Sequence, residues 1–548
     1  MASLELASAW TGIPIEGHLA AFSPLLALTA TMLAVVATPL LVGRGTRTTA
    51  TVATVGVVLA LIFAVKVAMS LGEGGVSGLS TAPADGMLIA DRLSLGFQIV
   101  LLVFLLGVTY LWWLGSSATE RNATEFFILL IGSAIGMILM SGTANLLMIV
   151  VAIETASLPS YAMVGFDKRD RLGAEASLKY MIFGAVCAAI MLYGASLLYG
   201  LVGSLSVSEI ARYIAAEISG GANRLLLGAA LLCFFAGIAF KISAVPFHFW
   251  CPDAFEGAKI EVTTWLSVVS KAAGLVLLAR MVAMLSAGVS GPLAMNVLEP
   301  IAWTIGIMAA VTCTVGNFAA YVQTSVKRLL AYSSIAHAGY MMMAAAVFLH
   351  PQAGAYGAGI AALLAYIVVY MFMNLGAFGI TALVIWDTGS DRIEAFTGLI
   401  RRAPWLAVPM ICCLISLVGL PVFAGFMAKW WVLVALGDMG GVLGWFLVIV
   451  LVLNTLFSLY YYVRIIVQMA LMDDGQPVVR GPVGGIALVN VCAIALLALF
   501  LFSNPLKTAA DRFSRTLIDP AAAVQKSAAR DVARPQAAVD TRDARTGS

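Results

Sequence analysis

Apolar runs of 18 residues or more recur along nearly the whole chain, separated by short polar segments. A helix of that length spans the hydrocarbon core of a bilayer, so the pattern predicts an all-α polytopic membrane protein. About fourteen helices are expected, near 22–42, 50–71, 94–114, 124–141, 144–165, 174–200, 225–250, 262–285, 298–322, 329–348, 356–385, 405–435, 441–468 and 484–502. A polar, Ala- and Arg-rich tail follows, and its low hydrophobicity predicts disorder beyond about residue 520.

Two of these segments are interrupted in the same way. The seventh carries Lys241 and then Pro246; the twelfth, ISLVGLPVFAGFMAKWW, carries Pro421, Gly425 and Lys429. Proline lacks a backbone donor and clashes with the preceding turn, so both helices are expected to break near the midplane. They stand five helices apart, and an odd offset reverses direction. Helices four to eight and nine to thirteen are therefore expected to be inverted repeats, with the broken helices marking a transport site. The division that follows is 1–120 for helices one to three, 121–290 and 291–470 for the repeats, 471–505 for the last helix and 506–548 for the polar tail.

Composition agrees: 61% of residues are hydrophobic, 11% are charged, and mean hydropathy is +1.00. A soluble domain carries about 25% charged residues. The N-terminus shows no basic region followed by a small-residue cleavage site, and no Arg/Ser-rich transit character, so no cleaved leader is expected. Clusters such as Lys168-Arg169-Arg171, Lys327-Arg328 and Arg401-Arg402 fall in odd-numbered loops. Even-numbered loops and their helix ends hold only Arg92, Arg212, Arg224 and Arg280. That bias places the odd loops in the cytoplasm and both termini outside. Seven cysteines, none in a CxxC pair, read as small buried hydrophobes. No Walker A motif, dinucleotide fingerprint, haem or iron–sulfur spacing is present, so no cofactor or metal is expected in this chain, and no nucleic-acid partner.

The chemistry lies in charged residues at membrane depth, where a lysine costs about 3 kcal/mol at the bilayer centre. Lys241 and Lys271 sit inside adjacent helices; burial disfavours their charged form and a nearby carboxylate favours it. Glu154, in LLMIVVAIETASLPSYAMVGF, is the expected partner of a lysine on helix six or seven. Lys179 stands near the cytoplasmic start of helix six, where snorkelling is the competing reading. Lys429 lies beyond Pro421, with an interfacial anchor beside Trp430 and Trp431 as the alternative. His337, mid-helix next to Ser333 and Ser334, suits a proton relay. His248 follows Pro246 and is a weaker relay, or a cap for freed carbonyls. The row Glu154–Lys241–Lys271–His337–Lys429 is rich in bases and lacks the clustered oxygens sodium favours, which points to protons.

Four stretches then carry a resemblance: ETASLPSYAMVGFDKRDRLGAEASLKYMIFGA (154–185), FKISAVPFHFWCPDAFEGA (240–258), QTSVKRLLAYSSIAHAGY (323–340) and GLPVFAGFMAKWW (419–431). With the helix pattern, residues 20–505 resemble the antiporter-like membrane subunits of respiratory complex I, the proton-translocating NADH-quinone oxidoreductase, most closely those of the subunit N type. The resemblance implies that Glu154, Lys179, Lys241, Lys271 and Lys429 occupy the family's positions on helices five, six, seven, eight and twelve, along a hydrophilic axis. It implies membrane-arm subunits as partners, a bacterial inner membrane, and NADH, FMN, iron–sulfur clusters and quinone elsewhere in the complex. The chain would then act as a translocase subunit. After PDAFEGA the family usually continues with proline; Lys259, Ile260 and Glu261 stand here instead. The tail lacks the long lateral helix of the larger antiporter-like subunit. Alternatives are a subunit of a multi-subunit cation/proton antiporter, a ferredoxin- or hydrogenase-linked pump, and a solute transporter with inverted repeats.

Overall fold

The computed structural model describes residues 20–43, 45–70, 87–115, 122–218, 223–288, 294–347, 353–472, 479 and 481–514. These residues fold into helices, joined at three points by isolated β-bridges. The first three long helices are α1 (Ser23–Leu41), α2 (Thr46–Ser70) and α3 (Arg92–Leu114). Then come α4 (Ala123–Ser141), α5 (Leu146–Val164), α6 (Arg171–Val202), a short amphipathic α7 (Val207–Ile218), α8 (Arg224–Ile242) and a half-helix α9 (Trp250–Gly257). Next, α10 (Ile260–Trp265) passes through a π-helical turn (Leu266–Ser270) into α11 (Lys271–Gly288). The remainder is α12 (Ala294–Tyr321), α13 (Val326–Val347), α14 (Ala353–Thr388), the single turn α15 (Leu399–Arg402), α16 (Pro404–Val418), α17 (Ala424–Met439), α18 (Gly441–Ala470), α19 (Val483–Leu501) and α20 (Ser503–Ser514).

Among the described residues, twelve helices are long and apolar enough to cross a bilayer. Helix α13 is not one of them, because Lys327, Arg328, Ser333, Ser334 and His337 dilute its hydropathy. The expected twelfth helix is divided into α16 and α17, and the expected seventh stops at Ile242 rather than running to 250.

Burial places the functional helices at the centre. The window of the helix Ile260–Ser286 is 94% buried and that of Gly357–Thr388 is 83% buried, whereas α1, α2, α18 and α19 are a third buried or less. Helix α14 packs on α10, α13, α16, α17 and α19. Small residues bring pairs of helices close, as is usual where lipid supplies no hydrophobic drive. A Cβ on Gly339 would lie 2.6 Å from the Cys313 nitrogen, so α12 and α13 touch backbone to backbone.

Two sequence expectations change here. Arg280 is not a loop or helix-end residue: it is 2% exposed within α11, its Nε donates to the Ser141 carbonyl at 2.8 Å, and its Nη2 pairs with Asp91 Oδ1 at 2.8 Å. Residues 506–514, the start of the expected polar tail, belong to the helix α20. Leu506, Ala510 and Phe513 recur at helical spacing, and α20 packs on α14 and α3. The rest of the expected tail, 515–548, lies outside the described residues.

Candidate functional site

Both expected breaks are present, and each is built around a lysine. Helix α8 ends where Ser243 takes a left-handed conformation (φ 65°), before the cis Val245–Pro246 peptide. The freed backbone groups are met by side chains, as membrane depth requires. Trp250 Nε1 donates to the Phe240 carbonyl at 3.1 Å, Ser270 Oγ to the Lys241 carbonyl at 3.1 Å, and the Val245 N–H donates to Thr312 Oγ1 at 3.0 Å. Lys241 stands in the last turn of α8, at the negative end of the helix dipole. It is wholly buried and donates to Ser157 Oγ at 3.2 Å, and Ser157 in turn donates to the Ile153 carbonyl.

Glu154 lies one turn before Ser157 on α5, half-buried. Its electrostatic partner is Lys241 on the seventh expected helix, but among the described residues no ion pair within 4.0 Å joins them. Between this pair and α9 lie two tyrosines. Tyr161 and Tyr180 meet edge to face at 4.5 Å, and Tyr180 stacks on Trp250 at 4.1 Å. Both hydroxyls are buried without a hydrogen-bond partner among the described residues, which is a place for ordered water.

Lys271 follows the π-helical turn and is wholly buried. Its Nζ donates to Cys251 Sγ at 3.4 Å and lies over the Phe255 ring at 4.8 Å and the Trp250 ring at 5.7 Å. Aromatic faces attract a desolvated ammonium by about 2 kcal/mol. The π-turn also exposes the Ser267 carbonyl, which accepts from the Tyr370 hydroxyl at 3.3 Å. Such turns are frequent at functional positions. No residue pattern in the sequence signals this one.

In the second half, His337 is buried between two tyrosines. Nδ1 meets the Tyr366 hydroxyl at 2.9 Å and Nε2 the Tyr462 hydroxyl at 3.4 Å; Tyr462 is hydrogen-bonded to Ser333. Tyr340 separates His337 from Lys429: its ring is 5.6 Å from the imidazole and 4.6 Å from the Lys429 ammonium. The second break begins at Gly419 (φ 83°). Lys429, on α17, reaches back across it to the Val418 carbonyl at 2.8 Å and to Thr455 Oγ1 at 3.4 Å. It is 3% exposed, so it is not the interfacial anchor its neighbouring tryptophans suggest. A polar cluster absent from the sequence reading supports Tyr340. Asn317 Nδ2 donates to its hydroxyl at 2.9 Å and to Asn454 Oδ1 at 3.0 Å, and the Tyr461 hydroxyl donates to Asn317 Oδ1 at 3.0 Å.

Lys179 and His248 stand apart from the row. Lys179 is 44% exposed and pairs with Glu175 at 2.7 Å and Asp253 at 3.0 Å, not with Glu154. Asp253 also takes Arg328 at 2.8 Å, Arg328 reaches Glu256 at 2.5 Å, and Lys327 donates to the Ala258 carbonyl at 3.0 Å. Lys327 and Arg328 therefore do more than set topology: they tie the C-terminal end of α9 to α13. His248 Nδ1 is buried without a hydrogen-bond partner among the described residues, so that nitrogen caps no carbonyl. At the departure from the family pattern, Lys259 lies over Phe166 at 5.7 Å and Glu261 is buried.

Among the described residues no group of three or more His, Cys, Asp or Glu side chains is placed to hold a metal ion. The arrangement can hold, release and pass protons between neutral oxygen, sulfur and nitrogen atoms.

Residues 143–458 match the family described as NADH:quinone oxidoreductase/Mrp antiporter, transmembrane. NADH-quinone oxidoreductase subunit N of Anaeromyxobacter sp. (strain Fw109-5) is 37% identical over 469 residues, 82% of this chain and 89% of that protein. Subunit N 2 of Sorangium cellulosum (strain So ce56) is 42% identical over 390 residues, 70% of this chain and 74% of that protein. A chain of respiratory complex I from Thermus thermophilus with bound aureothin superposes with a TM-score of 0.70 at 28% identity, covering 89% of this chain and 99% of that one.

Proposed function

The chain belongs to the family of antiporter-like membrane subunits that includes NADH-quinone oxidoreductase subunit N, and from that membership we infer that its buried row carries protons across the membrane. It is a multi-pass, proton-translocating membrane-arm subunit of an oxidoreductase complex, and other membrane-arm subunits are its partners. NADH, FMN, iron–sulfur clusters and quinone act elsewhere in the complex, and this chain serves as a translocase part without a cofactor of its own. It resides in a bacterial inner membrane with both termini outside, its two halves acting as inverted repeats.

One observation carries the reading. Lys241, Lys271, His337 and Lys429 are all at least 97% buried, and their hydrogen-bond partners are neutral: Ser157, Cys251, Tyr366 and the Val418 carbonyl. An ammonium held by a carboxylate keeps its proton; one held by neutral groups in a low-dielectric setting is costly and can give it up. Quinone reduction elsewhere changes the charge near Glu154, which alters the hold on the Lys241 proton. Lys271 exchanges protons with the cytoplasmic side, and protons pass by His337 to Lys429 and leave outside.

The test is Lys241→Ala in the assembled complex, with NADH oxidation and proton uptake measured in native membrane vesicles. Pumping is expected to fall several-fold with the complex still assembled, and full pumping overturns the reading. A second reading, a subunit of a cation/proton antiporter, is favoured by the family description, which spans Mrp antiporters as well. Gentle purification of the tagged chain separates the two. Flavin and iron–sulfur subunits that oxidise NADH support the first; small membrane subunits with cation-dependent proton exchange support the second.

A further inference from the structure

The row as described has a gap between its halves. Lys271 belongs to the first half and His337 to the second, and no side chain named so far joins them. The half-helix α9 packs on α6 and α13 and presents Cys251, wholly buried, to Lys271 at the start of α11. Its sulfur accepts from Lys271 Nζ at 3.4 Å and lies 4.0 Å from Ser334 Oγ on α13. The Tyr180 hydroxyl, fully buried and without a partner among the described residues, is within electrostatic reach of the same sulfur. On the far side, Ser334 stands one turn before His337 on α13, and the ring of Tyr370, whose hydroxyl donates to the Ser267 carbonyl, packs 5.2 Å from His337. The thiol thus has a buried lysine on one side and, on the other, a serine hydroxyl one turn from an imidazole on the same helix.

We propose that the Cys251 thiol is a proton-transfer residue that joins the two halves of the row, linking Lys271 to Ser334. The step rests on the proton-carrying role of the row. A thiol both accepts and donates a hydrogen bond, weakly in each direction. The Lys271 ammonium gives a proton to the sulfur as the S–H proton passes to Ser334 Oγ. The Ser334 hydroxyl passes its own proton on, one turn along α13, toward His337. The His337 imidazole receives it, Lys271 is left neutral, and every intermediate group ends as it began. No electrons move.

The experiment uses the full complex in native vesicles, with Cys251→Ser, Cys251→Val and Cys251→Ala compared for assembly, NADH oxidation and proton pumping. Serine keeps a group that accepts and donates; valine fills the space and does neither. Serine is expected to retain at least half of the pumping, while valine and alanine lower it roughly tenfold, below the usual worth of a positioned acid–base group because water can substitute. Full pumping by valine assigns Cys251 to packing and overturns the proposal, as does full pumping by alanine or a serine variant as impaired as alanine. Lys271→Ala, run beside them, keeps the two readings apart. If it pumps normally the row itself is wrong; if it fails while Cys251→Val pumps, only the link is wrong.

Discussion

Lys271→Met is expected to leave the complex assembled and to abolish most of its proton pumping. Methionine matches the lysine stem in length and adapts to irregular space, and replacing a buried charge by an apolar side chain is often neutral for stability. What is lost is the proton. The effect exceeds that of any other single change in the row because Lys271 sits on the most buried helix, at the junction of the two halves. Loss of a positioned proton-transfer group lowers rates by about 100-fold or more where water does not replace it. Lys271→Arg sharpens the result. Guanidinium keeps the charge and the aromatic contacts but does not release its proton. Pumping is therefore expected to be lost with arginine too, measured by vesicle acidification against NADH oxidation. An arginine variant that pumps at the normal rate shows that only the charge matters, and the proton-transfer role of Lys271 falls.

Arg280→Ala has the largest expected effect on stability. The guanidinium ties α11 to Asp91 at the start of α3 and to the Ser141 carbonyl at the end of α4. Removing it leaves a carboxylate and a carbonyl without their shared donor. Breaking a buried pair from one side costs about 3–5 kcal/mol, and the low end applies because the Asp91 side chain is 13% exposed. The expected outcome is a sharp drop in the amount of this subunit retained in purified complex, and a lower unfolding temperature. Asp91→Asn is milder, since the amide oxygen still accepts a hydrogen bond. Unchanged retention and melting for Arg280→Ala would mean the pair contributes nothing.

Depth was legible in the sequence and direction was not. Lys241, Lys271, His337 and Lys429 stand out because charge inside a long apolar run has few innocent explanations. Pro246 and Pro421 mark the breaks because their backbone chemistry is local. Arg280 was missed because it lies toward the end of its run, where an arginine looks like a loop residue; only packing against Asp91 reveals its role. Asn317 and Asn454 are single polar residues in apolar runs, more than a hundred positions apart, and only tertiary structure pairs them. Asp253 carries no mark in the sequence, yet it gathers Lys179 and Arg328 from two different helices. Cys251 looked like filler for the same reason: a side chain's depth follows from its run, but its neighbours follow from the helix rotation.

Tyr340 touches both bases: its ring meets the His337 imidazole edge to face and lies under the Lys429 ammonium. Among the described residues no carboxylate is hydrogen-bonded to either base, so a positive charge on one is felt by the other. If the row carries protons as proposed, the two sites behave as a turnstile: a proton on Lys429 makes a second one on His337 costly. A proton reaching the imidazole waits until the ammonium has emptied, and emptying it admits the next. In that scheme one ring makes traffic through the second half sequential.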